Sequence, residues 1–282
     1  MSHRARGLER CEAATQLRHR RETGLALSSR HEDIIALLAA SGEQTVEDLA
    51  DRLGVSRETV RRDLARLEAN GHLRRYHGGA RALANGLEPE TEWPFAQRMA
   101  QNAAGKKRIA RAARDLFAAD DSLFIDTGST TIAFAEALAA RPSLMAITNS
   151  PRIAATLAAN HSHKVFLLGG AYGADAGESL GPLALEQIGK FRARHAVLTI
   201  GAIDTHAVMD FDLQEAEVAK AMIERADRVT VLADHSKFER GAVFELAPLA
   251  RIHRLVTDLP PSEAMVRALA EAGVELIVAD RD

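Results

Sequence analysis

The first patterned stretch of the chain combines helical apolar stripes with two strand-like runs. Apolar residues recur at helical spacing in three segments, 29–41, 45–53 and 56–69, each beginning at a residue type that caps helices. Two short runs around Gly78-Gly79 then have the character of strands joined by a glycine turn. The pattern predicts three short helices, two of them spaced as a helix-turn-helix, followed by a small β-hairpin wing.

From Phe95 onward the pattern changes to short apolar runs that alternate with amphipathic, helix-like segments. Continuous apolar runs are typical of strands buried on both faces, and the segments between most of them are long enough for crossover helices. Seven runs have this character: Ser122–Ile125, Leu144–Thr148, Val165–Leu168, Ala196–Ile200, Arg228–Ala233, Leu255–Thr257 and Glu275–Val278. The alternation predicts an α/β domain with a mostly parallel sheet, separate from the winged helix-turn-helix.

The two patterned regions divide the chain into four parts. Residues 1–28 show no sustained period, and we predict that they form an extension. Residues 29–83 hold the three helices and the wing. Residues 84–94 lack a period and contain two prolines, which predicts a linker. Residues 95–282 form the α/β domain.

Composition argues against several classes of protein. The 282 residues are 46% hydrophobic and 27% charged, as in globular proteins, and no run approaches the ~18 apolar residues of a membrane-spanning helix. The N-terminal arginines are not followed by an apolar segment, so a secretory signal is not expected. Cys11 is the single cysteine, which excludes an intrachain disulfide and argues against a thiolate metal site. We therefore expect a cytoplasmic protein without a metal or cofactor.

Charge separates the two regions, although the net charge is only −3. Residues 1–81 hold 15 Arg, no Lys and 12 acidic residues, a net of +3, which leaves −6 for the remainder. Between Arg52 and Arg81 there are eight Arg and three acidic residues. Because Arg binds guanine edges and phosphates bidentately, this pattern indicates DNA binding. The alternative is a solvated helix face with i,i+4 ion pairs.

The helical region is also similar to a known family. Arg30-x-x-x-Ile34, Ser56-Arg-Glu-Thr-Val-Arg-Arg-Asp-Leu64 and Leu73-Arg-Arg-Tyr-His-Gly-Gly-Ala80 resemble the signature and wing of the DeoR family of bacterial transcriptional regulators. The resemblance implies four residues in the region of the major groove: Arg57, Thr59, Arg61 and Arg62. It implies two wing residues on the DNA backbone or in the minor groove: Arg74 and Arg75. Asp63 is expected to form a salt bridge that orients Arg62 or the wing.

Polar residues follow the apolar runs of the α/β domain. The loop Asp126-Thr-Gly-Ser-Thr-Thr131 links a predicted strand to a helix start, where backbone N–H groups bind anions; an ordinary helix cap is the alternative. Because parallel sheets collect ligands at the carboxyl ends of their strands, we predict one site from nine residues: Asp126, Gly128, Ser129, Thr130, Thr131, Asn149, Gly170, Asp204 and Lys237. The glycine–hydroxyl loop and Lys237 would hold a phosphate dianion, while Asp126 or Asp204 would accept hydroxyl groups. For Lys237 alone, a surface salt bridge is the alternative.

The resemblance to the DeoR family covers about residues 29–280. In the α/β domain it is carried by the Asp126–Thr131 loop, Thr148-Asn-Ser150, Ser179-Leu-Gly-Pro182 and Asp234-His-Ser-Lys-Phe238. The sensor domains of the family are similar to ribose-5-phosphate isomerase and related sugar-phosphate isomerases. They bind phosphorylated sugars or polyols, which usually release the DNA. Within the family, Asp210-Phe-Asp212 and the 234–238 segment are most similar to repressors of glycerol-3-phosphate regulons.

The expected function is repression of a carbohydrate or polyol catabolic operon. A homo-oligomer, dimer or tetramer, would bind double-stranded operator DNA and be released by a phosphorylated sugar or polyol such as glycerol 3-phosphate. The alternative is an isomerase-like enzyme fused to a DNA-binding domain, for which Asp204 and Glu215 are available carboxylates. The isomerases carry a Lys-bearing glycine-rich segment before the glutamate, and His206-Ala-Val-Met-Asp210 stands there instead. We therefore expect no catalytic residues.

Overall fold

The computed structural model describes residues 29–69, 73–76, 78–82 and 92–280. The predicted extension, residues 1–28, and most of the predicted linker, up to residue 91, lie outside the described residues. The chain divides into two compact units, Met1–Ala84 and Asn85–Asp282, which we call the head and the sensor. Within the described ranges, no helix is long and apolar enough to cross a membrane.

Between residues 29 and 82, the described part of the head holds three helices and a three-stranded antiparallel sheet. Its elements are α1 (Ser29–Ser41), β1 (Glu43–Thr45), α2 (Val46–Leu53), α3 (Arg57–Ala69), β2 (Leu73–Tyr76) and β3 (Gly79–Ala82). The apolar stripes of the helices meet in one core around Ile34, Leu49 and Leu64, all buried. β2 and β3 form the predicted wing, and β1 pairs with the free edge of β3. The apolar pattern does not predict β1, because Glu43-Gln-Thr45 contains no apolar residue and only backbone pairing places it.

Local side-chain chemistry sets the junction between α2 and α3. Thr45 Oγ1 accepts a hydrogen bond from Asp48 N at 3.1 Å and caps the first turn of α2. Gly54 ends α2 in the left-handed conformation, with φ of 64°. Ser56 Oγ then accepts a hydrogen bond from Thr59 N at 3.2 Å at the start of α3. The two helices therefore have the short connection of a helix-turn-helix, as the sequence predicts.

The sensor is built on a seven-stranded parallel sheet with smaller β elements beside it. Its strands are β4 (Ser122–Ile125), β5 (Met145–Thr148), β6 (Lys164–Leu167), β7 (Ala171–Gly173), β8 (Glu178–Leu180), β9 (Ala193–Leu198), β10 (Ala202–Ile203), β11 (Ala207–Asp210), β12 (Ala226–Leu232), β13 (Phe244–Pro248), β14 (Arg254–Thr257) and β15 (Glu275–Val278). The large sheet has the order β15-β14-β12-β9-β4-β5-β6, and every pairing in it is parallel. These seven strands are the seven predicted runs, which confirms the fold class.

Helices cover both faces of this sheet. They are α4 (Phe95–Ala100), α5 (Ala103–Arg114), α6 (Ser129–Leu138), α7 (Pro151–Ala158), α8 (Pro182–Gly189), α9 (Leu213–Glu224) and α10 (Glu263–Glu271), and His235–Lys237 forms a 3-10 turn. Leu123 and Ile125 of β4 belong to the core beneath α5, α6 and α7, whereas Phe124 belongs to the core beneath α8, α9 and α10. The alternation within one strand explains why the strands are apolar throughout.

The direction in which strands are added to the sheet reverses at β4. β5 and β6 follow on one side, whereas β9, β12, β14 and β15 follow on the other. Open α/β sheets bind ligands in the crevice at the carboxyl ends of the strands where this reversal occurs. The hairpin β7-β8 and the antiparallel sheet β10-β11-β13 lie in connections that leave the same edge of the sheet. The fold thus places the candidate site at the carboxyl ends of β4 and β9.

Candidate DNA-binding surface and effector site

Helix α3 buries its apolar stripe in the head and leaves three of the predicted DNA contacts exposed: Arg57, Arg61 and Arg62. Arg57 pairs with Glu47 of α2, and Arg61 Nη1 lies 3.7 Å from Glu58 Oε2. Thr59 is half-buried. Since exposed ion pairs contribute at most about 1 kcal/mol, DNA phosphates could replace both carboxylates at little cost.

The wing is tied to α3 through one ion pair. Glu68 accepts a hydrogen bond from Arg75 N at 2.7 Å and another from Arg75 Nε at 2.8 Å. Arg75 remains exposed despite these contacts. Arg74 lies opposite Arg81 of β3 in the hairpin register, and its side chain lies outside the description. The Glu68–Arg75 contact therefore anchors the hairpin while leaving the guanidinium accessible.

Asp63 is buried in the head with its charge paired. Its carboxylate accepts a hydrogen bond from Arg30 Nε at 2.6 Å and lies 3.2 Å from His31 Nε2. Burial favours a raised pKa, but the hydrogen bonds from Arg30 and His31 outweigh it and hold the pKa of Asp63 below its ordinary value. The expected salt bridge exists, but the prediction that it orients Arg62 or the wing is wrong. Asp63 lies beside the buried face of α3, which packs against α1, so both partners come from α1.

The Asp126–Thr131 loop runs from the carboxyl end of β4 into α6. Asp126 is buried and accepts a hydrogen bond from Thr127 N at 2.8 Å. Gly128 is the N-cap of α6, and no side chain of the described residues caps the helix there. A Cβ on Gly128 would lie 2.0 Å from Thr199 Cγ2, so a larger residue would push apart the loops that follow β4 and β9. The start of α6 therefore presents backbone N–H donors where the strand order reverses.

The hydroxyl residues of this loop differ in accessibility. Ser129 is half-buried, whereas Thr130 and Thr131 are buried. Thr131 Oγ1 donates a hydrogen bond to Gly128 O at 3.1 Å, which commits that hydroxyl to the loop itself. Ser129 and the backbone N–H groups are the more accessible donors.

Asn149 and Gly170 form part of the frame around the loop. Asn149 is fully buried; its Oδ1 accepts a hydrogen bond from Thr127 Oγ1 at 3.0 Å, and its Nδ2 donates one to Glu178 Oε2 at 3.1 Å. A Cβ on Gly170 would lie 2.5 Å from Leu180 O of β8. Asn149 therefore fixes the orientation of the loop, and Gly170 permits the close approach of β8.

Asp204 lies in the turn between β10 and β11. Its Oδ1 accepts hydrogen bonds from His206 N at 2.8 Å and from Ala207 N at 2.9 Å, as in an Asx turn. Neither of these two hydrogen bonds involves Asp126 or Lys237. The Asp204 carboxylate therefore shapes the β10–β11 hairpin.

Lys237 and Arg98 share the carboxylate of Glu92. Glu92 Oε1 lies 2.9 Å from Lys237 Nζ, and Glu92 Oε2 lies 2.8 Å from Arg98 Nη1. The side chains of Arg98, Glu92 and Lys237 are only 10%, 14% and 15% exposed. Arg98 Nη2 also lies 3.4 Å from Asp175, whereas its buried Nε has no hydrogen-bond partner among the described residues. Lys237 therefore forms a salt bridge, as the alternative predicted, but this salt bridge is largely buried. Its carboxylate, Glu92, also pairs with a second cation, Arg98.

Four further carboxylates form a cluster with Glu92, each lying near at least one other member: Asp126, Glu178, Asp210 and Glu215. Burial and then repulsion by a neighbouring carboxylate raise the pKa of Glu178, Asp210 and Glu215 to about 8 each. Burial likewise raises the pKa of Asp126. At neutral pH the cluster therefore retains protons and can both donate hydrogen bonds to ligand hydroxyls and accept them.

Glu92 and two of these acids approach one another closely enough to hold a cation. Carboxylate oxygens of Glu92, Asp210 and Glu215 lie within 4.8 Å of one another. Lys237 and Arg98 supply positive charge beside them in the structure.

Comparison with known proteins accounts for both units. The model of the DeoR-like helix-turn-helix domain matches residues 30–85, and that of the DeoR C-terminal sensor domain matches residues 101–259. The chain belongs to the DeoR family. This DeoR-family protein is 34% identical to the HTH-type transcriptional repressor CsqR of Escherichia coli K12, over 92% of this chain and 98% of the relative. It is 31% identical to the glycerol-3-phosphate regulon repressor of the same organism, over 88% and 98% respectively.

The family match confirms the resemblance seen in the sequence, including the similarity to glycerol-3-phosphate regulon repressors. Among solved structures, ribose 5 phosphate isomerase A from Neisseria gonorrhoeae covers 47% of this chain and 52% of its own, with 20% identity and a TM-score of 0.34.

Sequence reasoning on this DeoR-family chain misses the site's inner charges. It leaves Glu92 in the predicted linker, gives Arg98 and Glu178 no role in the site, and names Glu215 only as a carboxylate available to the alternative enzyme. In the structure Glu215 lies in the first turn of α9 and belongs to the cluster. One signal is available in the sequence: Glu178 directly precedes the Ser179–Pro182 motif, and Glu92 directly precedes Trp93-Pro94.

Proposed function

We propose that this DeoR-family protein represses a carbohydrate or polyol catabolic operon and leaves operator DNA when it binds a phosphorylated sugar or polyol. One observation carries the proposal: the largely buried cations Arg98 and Lys237 lie among partly protonated carboxylates, and that cluster includes Asp126 of the loop that starts α6. Cations and backbone N–H groups suit a phosphate, and the carboxyl groups suit hydroxyls. The relative named as a glycerol-3-phosphate regulon repressor supports this effector class.

On the DNA side, we propose that α3 is the recognition helix. Its exposed arginines and Thr59 would lie at the major groove: Arg57, Arg61 and Arg62. The wing residues Arg74 and Arg75 would contact the backbone or the minor groove. Two observations support this assignment: the α3 arginines are exposed, and the ion pairs of Arg57 and Arg61 are weak enough for DNA phosphates to replace their carboxylate partners. A homodimer or tetramer would place several heads on repeated half-sites.

In the effector site, the start of α6 and Lys237 would hold the phosphate. Asp126 and the protonated carboxyl groups beside it would bind the hydroxyls of the sugar or polyol. Asn149 and Gly170 would act by positioning the loop, and Asp204 by shaping the neighbouring hairpin. For effector binding to weaken operator binding, the coupling free energy needs only the typical value of about 1–3 kcal/mol.

Calorimetry on the full chain tests the effector class. A panel of phosphorylated C3 to C6 sugars and polyols is titrated beside the unphosphorylated parents. We expect at least one ester to bind more than about tenfold tighter than its parent, because only the ester addresses the cations. Lys237→Ala should lower the affinity for that ester by about tenfold or more. Lys190→Ala, which removes an exposed lysine, should leave the affinity unchanged. Equal affinity for ester and parent across the panel would contradict the proposal.

We further propose that the site binds its ligand without turnover. Asp204, one of the two carboxylates available as a catalytic base, is bonded within its own turn, which supports binding over catalysis. Incubating the protein with the same panel and following the sugars by NMR separates the two functions. Conversion of any aldose phosphate to its ketose would favour the enzyme.

A further inference from the structure

The carboxylate of Glu92 lies between two largely buried cations, as the oxygens of a bound anion would. One of its oxygens contacts Lys237 Nζ at 2.9 Å, and the other contacts Arg98 Nη1 at 2.8 Å. Glu92 is the first described residue of the sensor, three residues before α4. The chain that precedes it leads to the head. The carboxylate that pairs with both Arg98 and Lys237 thus lies at the sensor end of the segment that joins the two units.

The surroundings of Glu92 both attract and repel its charge. Arg98 and Lys237 attract it, whereas Asp210 and Glu215, whose carboxylate oxygens lie within 4.8 Å of its own, repel it to the extent that they are ionised. Its docking also leaves Arg98 incompletely satisfied, because the buried Nε finds no hydrogen-bond partner in the part of the chain that the structure describes. A phosphate monoester carries three terminal oxygens, one more than a carboxylate, and can serve a donor that Glu92 leaves unpaired. An incoming phosphate therefore competes well for these cations.

We propose that Arg98 completes, with Lys237 and the start of α6, the subsite for the effector's phosphate, and that Glu92 occupies this subsite as an internal competitor which the effector displaces. The inference rests on the proposed function, since the displacing group is the phosphate of the effector. When Glu92 is displaced, the segment that joins the two units is released at the end where it enters the sensor. Because this segment is covalently continuous with the head, effector binding in the sensor can change the behaviour of the head. The docked state of Glu92 is then the operator-binding state. Because linkage is reciprocal, weakening the docked state strengthens phosphate binding.

Inorganic phosphate is the probe for the first test, titrated into the full chain against chloride at matched ionic strength. Glu92→Gln keeps the size of the side chain and removes its charge. We expect this variant to bind phosphate at least about tenfold tighter than the wild type. Glu217→Gln, an exposed glutamate of α9, is the matched control and should bind like the wild type. Adding Arg98→Lys to Glu92→Gln should cancel most of the gain, and an unchanged affinity in Glu92→Gln overturns the inference.

Hydrogen exchange of residues 85–94 in the full chain supplies a second readout. Phosphate should raise exchange there in the wild type, and Glu92→Gln should show the raised exchange without phosphate. One outcome rejects only the competitor role of Glu92. In that outcome sugar phosphates bind and lose affinity in Lys237→Ala, yet Glu92→Gln changes neither phosphate affinity nor hydrogen exchange, and the proposed function stands. If no ester binds better than its parent but Glu92→Gln gains phosphate affinity, the proposed function fails and the anion subsite stands.

Discussion

Asp63 in α3 accepts a hydrogen bond from Nε of Arg30 at 2.6 Å, and this contact joins the third helix of the head to the first. The Asp63 side chain is 4% exposed, whereas that of Arg30 is 39% exposed. Loss of the carboxylate would leave Arg30 able to turn to water. The cost should therefore fall below the roughly 3–5 kcal/mol of breaking a fully buried pair.

Asp63→Ala should destabilise the head by about 1–3 kcal/mol and leave the sensor unchanged. Hydrogen exchange of peptides from α1 and α3 measures the change, and peptides from β4 and β9 are the control. Because the folded-state pKa of Asp63 is lowered, its contribution is fully present above its unfolded pKa of about 4 and is lost as pH falls through the folded value. Wild type and variant should therefore converge in acid. Equal protection at pH 7 would show that the pair contributes nothing.

Arg62→Ala should weaken specific operator binding by about 1–3 kcal/mol, since an exposed arginine of α3 would lose a bidentate base contact. Gel-shift titrations compare an operator selected from a random duplex library with a scrambled duplex. Arg228→Ala, an exposed arginine of β12, is the control for the loss of one positive charge. A similar loss on both duplexes would reassign Arg62 to a phosphate contact, and no loss would remove it from the interface.

Gly128→Ala should weaken phosphate-ester binding by about tenfold or more. Its Cβ would meet Thr199 Cγ2 at 2.0 Å and Cβ at 3.0 Å, so rotating Thr199 relieves only part of the clash and the loop must move. Gly189→Ala at the end of α8 is the matched control, because nothing lies within 4 Å of its Cβ position. Alanine there should be neutral or stabilise by up to about 1 kcal/mol. Unchanged calorimetric affinity in Gly128→Ala would remove the loop from the site.

The seven strands of the large sheet were predictable because each is a continuous apolar run, as burial on both faces requires. β1, β7 and β10 escaped prediction, since two or three residues carry too little pattern and only their pairing partners define them. The same limit applies to the site. The Asp126–Thr131 loop could be predicted from the sequence, because its glycine and hydroxyl residues directly follow an apolar run that forms a strand.

The charged groups at the centre of the site are brought together by tertiary packing and not by their order in the sequence. Glu215 falls in an amphipathic helix, where a glutamate is ordinarily solvated, and only the packing of α9 brings it beside Glu178. Glu92 lies in a segment without a period, so its contact with Lys237, 145 positions later, leaves no trace in local sequence. Asp204 shows a related limit: an acid after a strand end also suits a turn, and its Oδ1 accepts hydrogen bonds from the backbone of the β10–β11 turn, so its place in the site stays a prediction.

Acidic pH should stabilise the sensor. The pKa of Glu178, Asp210 and Glu215 is about 8 in the folded protein, against about 4 when unfolded. Between these values the folded state binds more protons than the unfolded state. The free energy of unfolding therefore falls as pH rises from about 4 to 8 and levels off above that.

Glu215→Gln tests this titration, because glutamine resembles the protonated acid. The variant should be more stable than the wild type at pH 8, by on the order of 1–3 kcal/mol, and nearly equal to it at pH 5. Urea unfolding followed through Trp93, the single tryptophan, reports on the sensor. Glu217→Gln on the exposed side of α9 should show no pH-dependent gain. A gain that is the same at both pH values would mean that Glu215 ionises with its ordinary pKa, and the hydroxyl-donating role of the cluster would fall with it.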